Sequence, residues 1–483
     1  MNKFSRFTKV NLFWYFSQVG IKNIIPLIAL PIFTRYISLE EFGIYALAIF
    51  YGIVVSGIIN LGLLSVYDRS FFELSEKKRK SLLQSIIFFI LLLFAISFLL
   101  TISFNEAFAE FFFRKKELKN YLHLALWFQA FKSLNLYFLN YLKNYDNAKI
   151  HTLISIGETF SSIILALLFV TKYSMGLYGF ILGQSLGVTL IFLLTFIYLF
   201  IPYQKKFEVK LLKQQLRLSL PLTPRIFFGS INNQFDRYML GILSSLGGVG
   251  LYDIGQKIAN ISFVFMTAIE NSYSPEVYRR LFSEDSRIRQ SVGTFLTPFF
   301  YLSILFCIGV SLFSYEILYI LTPKDFHSAS SVISILVILY GFYFFGKQPQ
   351  LMYAKKTGLI SFLTFISIGL NIGLNIPMIK YFGILGAAWG TLFAGLISSI
   401  VSFYYGQKHT PIKYEKHILL ILIYFITIVL TNLFIGVSNI DYFPTLIFKI
   451  LSLSGYLILG YLFDIVNIKK MRASFINLNK NYD

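Results

Sequence analysis

Six basic residues stand inside strongly apolar stretches of this chain: Lys22, Lys132, Arg225, Arg237, Lys257 and Lys449. Acids read at comparable depth are fewer: Glu158, Asp236 and Glu270. A charge at the centre of a bilayer costs about 2.5–3.5 kcal/mol on insertion scales, so such groups persist only where they pair or face water. A surplus of cations in that setting predicts a hydrated, positively charged cavity. Its natural ligand is an anionic group, a phosphate above all. Lys449 lies near a helix end, where its apolar stem lets the ammonium reach the interface, and Arg237 is expected to do the same. Lys22, Arg225, Lys132 and Lys257 therefore form the candidate substrate-binding set. Lys22 and Arg225 are 203 positions apart, at corresponding places of two repeats described below, and the pair is read as a clamp. The competing reading is structural, with Lys132 paired to Glu158 between neighbouring helices. Glu158, Asp236 and Glu270 are the acids available for pairing or for carrying a coupling ion. Asp236 and Arg237 are adjacent and cannot share one helix face, so they are not expected to pair with each other.

Other chemistry finds no support. His123, His151, His327, His409 and His417 are scattered without metal-ligand spacing, and neither a G-x-S-x-G nor a P-loop pattern occurs. An Asp-x-Asp metal motif of the kind a nucleotide-sugar transferase carries is also missing. The expectation is a protein that is not an enzyme and holds no metal or organic cofactor, a coupling proton or sodium ion aside.

The elements that must position these charges are helices. Fourteen apolar stretches follow one another: 11–34, 42–65, 82–104, 118–142, 151–171, 177–200, 216–242, 250–272, 293–315, 329–354, 358–379, 384–405, 417–437 and 443–463. Stretches of roughly 18 or more apolar residues are long enough to cross the hydrocarbon core. Backbone groups inside lipid must bond within their own segment, which makes each span a helix. Composition agrees, with 56% hydrophobic and 14% charged residues. Aromatics at 18% suit lipid-facing and interfacial positions. The basic start (Lys3, Arg6, Lys9) before an apolar run imitates a signal peptide, but no small-residue cleavage pattern follows, and a retained first helix is expected. Cys307 is the single cysteine, so no intrachain disulfide forms.

Lys and Arg sort by alternate loops. Twenty-nine fall on the side of the N-terminus, including Lys77, Lys78, Arg79, Lys80, Lys205, Lys206, Lys347, Lys469, Lys470, Arg472 and Lys480. Eight fall on the other: Arg35, Arg114, Lys115, Lys116, Lys119, Lys172, Lys324 and Lys380. Over short loops this asymmetry places both termini in the cytoplasm. It also accounts for the formal charge of +20 without invoking nucleic acid as a partner.

The chain repeats at a near-constant offset. Gly176, Gly179 and Gly183 open the sixth span, and Gly383, Gly386 and Gly390 open the twelfth, both as G-x-x-G-x-x-x-G and 207 positions apart. Gly43-Ile44-Tyr45 and Gly250-Leu251-Tyr252 share that offset, and Ala148-Lys149 matches Ala354-Lys355 at 206. Six spans per unit is even, so the halves enter the membrane in the same sense, as parallel repeats of transporters do. The predicted fold is an all-α polytopic membrane protein of two parallel six-helix lobes, 1–204 and 205–408, followed by 409–483 with two further helices and a tail. Pro26 and Pro31 in span one, and Pro221, Pro224, Asn232, Asn233 and Gln234 in span seven, predict bends in the first helix of each lobe.

The stretch Pro31-Ile-Phe-Thr-Arg-Tyr-Ile-Ser-Leu-Glu-Glu-Phe-Gly-Ile-Tyr45, with Asn60-Leu61-Gly62-Leu63 and Asp68-Arg69-Ser70-Phe71-Phe72-Glu73, resembles the polysaccharide flippase family (Wzx type). That family belongs to the multidrug/oligosaccharidyl-lipid/polysaccharide exporter superfamily. The run from Gly383 to Gly390 resembles its late-lobe signature. The resemblance implies translocation of an undecaprenyl-pyrophosphate-linked oligosaccharide, of O-antigen, capsule or exopolysaccharide, across a bacterial inner membrane by alternating access. It further implies membrane lipids, a glycan polymerase and other polysaccharide-assembly proteins as partners. The family has no strict motif for its basic cavity, so only the idea of a cationic lumen carries over, onto Lys22 and Arg225. Two other readings stand beside it: a cation-coupled multidrug exporter, whose cavity would be acidic, and a membrane glycosyltransferase or glycan polymerase, which would need a metal motif or a large external loop.

Overall fold

The computed structural model describes residues 2–200, 207–232, 234–346, 350–438 and 441–465. Every regular element among them is helical. Lys205, Lys206, Lys347, Lys469, Lys470, Arg472 and Lys480, counted above for orientation, lie outside the described residues, as does Asn233. Ten of the described helices are long and apolar enough to cross a membrane, against fourteen spans expected. One of the ten is the continuous run across the eleventh and twelfth expected spans. Large side chains such as Ile28, Leu99, Phe362 and Leu451 stand exposed on the helices. Exposed apolar surface on this scale is tolerated where lipid is the solvent.

The chain forms two compact units, residues 1–253 with 321–323, and 254–320 with 324–483. In the first, α1 (Asn2–Tyr36), α2 (Leu39–Ile59), α3 (Leu63–Ser70), α4 (Glu76–Ser103), α5 (Asn105–Phe113), α6 (Lys119–Asn144), α7 (Ala148–Leu167) and α8 (Gly176–Phe200) follow in order. They lead into α9 (Val209–Ser219), α10 (Thr223–Asn232), α11 (Phe235–Leu243) and the start of α12 (Leu246–Leu281). Helix α2 begins with a capping box written in the sequence as Ser38-Leu-Glu-Glu41. The Ser38 hydroxyl accepts from the Glu41 N–H at 3.3 Å, and the Glu41 carboxylate accepts from the Ser38 N–H at 2.8 Å. The prolines of α1 leave it one unbroken helix, whereas the expected seventh span divides. Its first residues belong to the separate, amphipathic α9. A 3₁₀ turn over Leu220–Leu222 then holds Pro221, and Gln234 separates α10 from α11.

Gly176 and Gly383 play the same part in each repeat, with φ of 53° and 56°. That left-handed region admits glycine without strain and turns the chain into the next span. At Gly383 the turn sits within the long helical run α18 (Thr357–His409). Downstream, Gly183 is pressed on the backbone of Ala166, and Gly390 on Asn375, so the repeated glycines seat each span against the one before it.

The second unit continues α12 and adds α13 (Ser286–Gln290), α14 (Val292–Leu312), α15 (Ser314–Leu321), α16 (Ala329–Gly346), α17 (Gln350–Tyr353), α18, α19 (His417–Val437) and α20 (Tyr442–Leu462). Helix α20 is tied to α14 by two tyrosines whose rings stack 4.6 Å apart. Tyr301 donates to the Tyr456 carbonyl at 3.0 Å, and Tyr456 donates to the Tyr301 carbonyl at 2.9 Å. Gly460 provides the space that the Tyr301 hydroxyl occupies.

Candidate functional site

Helices α1, α6 and α7 bring three of the predicted residues together inside the first unit. Gln18 and Lys22, one turn apart on α1, both donate to the Ser155 hydroxyl of α7, at 2.8 and 3.4 Å. One turn further along α7, Glu158 is buried and accepts from the Asn135 amide of α6 at 3.0 Å. The same amide donates to the Val188 carbonyl of α8 at 3.3 Å. Lys132, one turn before Asn135, holds its ammonium 5.1 Å from the Phe128 ring centroid, a cation–π contact. Lys22 and Lys132 both act on the Glu158 carboxylate through space. Among the described residues neither reaches it within the 4.0 Å of an ion pair, so the Lys132–Glu158 bridge considered from the sequence does not form. Two basic side chains thus act on one carboxylate at a distance, a formal surplus of one positive charge. Lys22 is half-buried, not sealed.

Arg225 lies in α10 of the same unit, but its side chain is outside the described residues and the clamp with Lys22 stays an expectation. Lys257 falls in the second unit, exposed on α12, with Glu270 half-buried on the same helix.

Two cations behave differently from expectation. Arg237 does not reach for the interface: it is 7% exposed, and its Nε donates to Asp253 at 2.8 Å. It also donates to the Gln234 side chain. Asp236 accepts from the Tyr252 hydroxyl at 3.2 Å. Asp253 is an acid within the eighth span that the sequence reading passed over. Its signal was positional, because Arg237 and Asp253 are equidistant from Ser245 in the turn between α11 and α12. Lys449 is likewise buried, not snorkelled, with its ammonium 2.5 Å from Glu316. Burying a charge demands a partner, and both partners sit just inside or beside spans where only hydrophobicity had been read.

The polar motif at Asp68–Glu73 is structural in this geometry. Asp68 receives Asn144 at 2.5 Å and Lys143 at 3.3 Å, and Arg69 pairs with Glu73 at 3.2 Å. Ser70 donates to Gln215 at 2.7 Å, fastening α9 to α3. Among the described residues no cluster of three or more His, Cys, Asp or Glu could hold a metal.

The family model described as "Polysaccharide biosynthesis protein" matches residues 9–273, more than half of the chain and all of this cluster. The chain belongs to that family. It is 28% identical over 192 residues to the "Probable low-salt glycan biosynthesis flippase Agl15" of Haloferax volcanii, a match covering 39% of this chain and 40% of that protein. The overall fold is that of a structure titled "Lipid II flippase MurJ, inward closed conformation". The TM-score is 0.73 at 18% identity, over 94% of this chain and 98% of that one. A multidrug resistance transporter of the MATE family in its inward-facing conformation has a TM-score of 0.58 at 14% identity, over 84% and 95% of the two chains. This member of the polysaccharide biosynthesis family thus has an all-helical fold of membrane-spanning length and carries a basic cluster within its first unit.

Proposed function

We propose that this protein moves a lipid-linked oligosaccharide, joined through pyrophosphate to undecaprenol, from the cytoplasmic to the outer leaflet of a bacterial inner membrane. Both termini lie in the cytoplasm on this reading. The observation that carries it is the excess charge inside the first unit: Lys22 and Lys132 face a single carboxylate that neither contacts. An uncompensated ammonium in a polar niche attracts a diphosphate, and Gln18, Ser155 and Asn135 supply neutral hydrogen-bonding groups around it. The names of the relatives, a glycan biosynthesis flippase and a lipid II flippase, point to the same class of substrate.

The protein acts as a transporter: no bond of the glycolipid is made or broken, and the two halves alternate access to the site. Glu158, Asp236 or Glu270 carries any coupling proton or sodium ion. Glycan polymerase and other assembly proteins receive the product. The resemblance in fold to multidrug transporters admits a drug exporter, but a cavity for cationic drugs would carry the opposite surplus of charge. The experiment is translocation of a fluorescent undecaprenyl-pyrophosphate oligosaccharide in proteoliposomes. Lys22→Ala and Arg225→Ala are each expected to lower the rate at least fivefold with normal insertion. Wild-type rates for both would reject the proposal.

A further inference from the structure

A polar cavity lies wholly within the second unit. It is about 250 Å³ in volume and is formed where the ends of α14 and α19 meet the starts of α15, α16 and α20. Several hydroxyls stand in its wall: Ser314, Ser331 and Ser334 line it, with the Asn432 amide beside them and the Tyr315 ring among the lining residues. At one side stands the ion pair of Lys449 and Glu316.

Two features mark this as more than a packing fault. Apolar side chains would fill such a gap in a membrane helix bundle at lower cost than hydroxyls and a buried ion pair. And Glu316 spends only one oxygen on Lys449. Its Oε2 is buried and accepts no hydrogen bond among the described residues, an acceptor that calls for a donor.

The charge of the site selects its ligand. Lys449 and Glu316 cancel, so a phosphate or carboxylate gains no net attraction here. Together they offer N–H donors and a carboxylate acceptor to a neutral molecule that presents both donors and acceptors. Serine hydroxyls and the asparagine amide are likewise two-sided. An exposed tyrosine ring beside such groups gives an apolar face a place to stack. A sugar ring combines those properties: hydroxyls around the rim and C–H faces above and below. The volume falls just under the range of about 300–1,000 Å³ for drug-sized ligands, which suits one sugar residue better than an oligosaccharide.

We infer that this cavity is a docking site for a single neutral pyranose residue of the transported glycan, separate from the site that holds the charged headgroup. The class of ligand rests on the flippase reading above; the presence of a neutral polyol site does not.

The test uses the full chain with Ser331→Cys, since the native Cys307 is buried and reacts slowly. Maleimide labelling is timed in detergent with glucose, galactose, rhamnose or N-acetylglucosamine, against mannitol at equal concentration. At least one pyranose is expected to slow labelling fivefold or more while mannitol does not, and Glu316→Gln should weaken that protection. Equal effects of pyranoses and mannitol would overturn the assignment. Stronger protection by glucose 1-phosphate than by glucose would mark an anion site and overturn it as well. Should the introduced thiol not react, the native chain's thermal midpoint is read with the same panel, and no pyranose shifting it beyond mannitol counts against the site. None of these readouts requires transport. A failure here therefore leaves the translocation proposal standing, and a failure of translocation leaves the neutral site but removes its link to a transported glycan.

Discussion

Gly43 and Gly250, which the sequence pairs as repeat mates 207 positions apart, lie against each other where α2 and α12 cross. A Cβ on Gly250 would come within 2.1 Å of the Leu39 carbonyl oxygen and 3.1 Å of the Gly43 nitrogen. A Cβ on Gly43 would meet the Leu246 carbonyl oxygen at 1.9 Å. The repeat is therefore visible in the structure as a contact: the same turn of each motif gives up its side chain so that two backbones can touch. Just after each glycine a tyrosine reaches a polar partner, Tyr45 to Gln184 at 3.1 Å and Tyr252 to Asp236 at 3.2 Å.

Because the obstacle is backbone, it cannot rotate away. Gly43→Ala and Gly250→Ala are expected to destabilise the protein by about 1–3 kcal/mol each, the usual cost of overpacking. Gly369→Ala, where a Cβ meets nothing within 4 Å, should be neutral or mildly stabilising through its better helix propensity. Thermal unfolding in detergent, followed by helical circular dichroism, separates the three. Equal midpoints for all of them would refute the close crossing.

Arg237 and Asp253 have side chains only 9% and 5% exposed, so removing one leaves the other charged and buried. Arg237→Met is expected to cost about 3–5 kcal/mol by that mechanism. The double substitution Arg237→Met with Asp253→Asn should recover part of it. A double-mutant cycle on the unfolding midpoint measures the coupling, and strictly additive effects would show that the pair contributes nothing as a pair.

Tyr301 and Tyr456 hold α14 and α20 through reciprocal hydrogen bonds to backbone carbonyls. Inter-helix hydrogen bonds in membranes average roughly 0.6 kcal/mol, with a maximum near 1.7. Tyr301→Phe and Tyr456→Phe are each expected within that range, while Gly460→Leu, which fills the space taken by the Tyr301 hydroxyl, should cost more. Protease susceptibility of the α19–α20 segment is the measurement, and a Gly460→Leu protein as resistant as wild type would contradict the arrangement.

Helices were legible because lipid leaves the backbone no alternative, and the repeat was legible because glycines at helix crossings cannot be replaced cheaply. Partners of buried charges were harder to read. Lys449 finds Glu316 across 133 positions, and nothing local in the sequence joins them. Arg237 and Asp253 could have been found, since a tight turn fixes which residues of two adjoining helices face each other. In α1, Pro26 and Pro31 lie inside one continuous helix. The seventh span breaks twice, at the 3₁₀ turn holding Pro221 and at the polar run around Gln234. Side-chain amides there compete with the helix for backbone hydrogen bonds, which proline within a lipid-facing helix need not do.

Within the cluster of α1, α6 and α7, Lys22 and Glu158 should respond in opposite directions to substitution. On the proposed function, Lys22→Ala removes a charge-assisted contact to an anionic headgroup, and such hydrogen bonds contribute about 1.5–3 kcal/mol. Affinity for a pyrophosphate-linked lipid should fall by roughly ten- to a hundredfold, at 1.4 kcal/mol per factor of ten. Lys22→Arg keeps the charge and should retain most of the affinity. Glu158→Gln removes the carboxylate on which Lys22 and Lys132 act while keeping a polar partner for Asn135. The lipid should then bind more tightly and leave more slowly. Binding and single-turnover translocation, measured together in proteoliposomes, check both arms: weaker binding with Glu158→Gln would mean that the carboxylate supports the site, not that it opposes the anion.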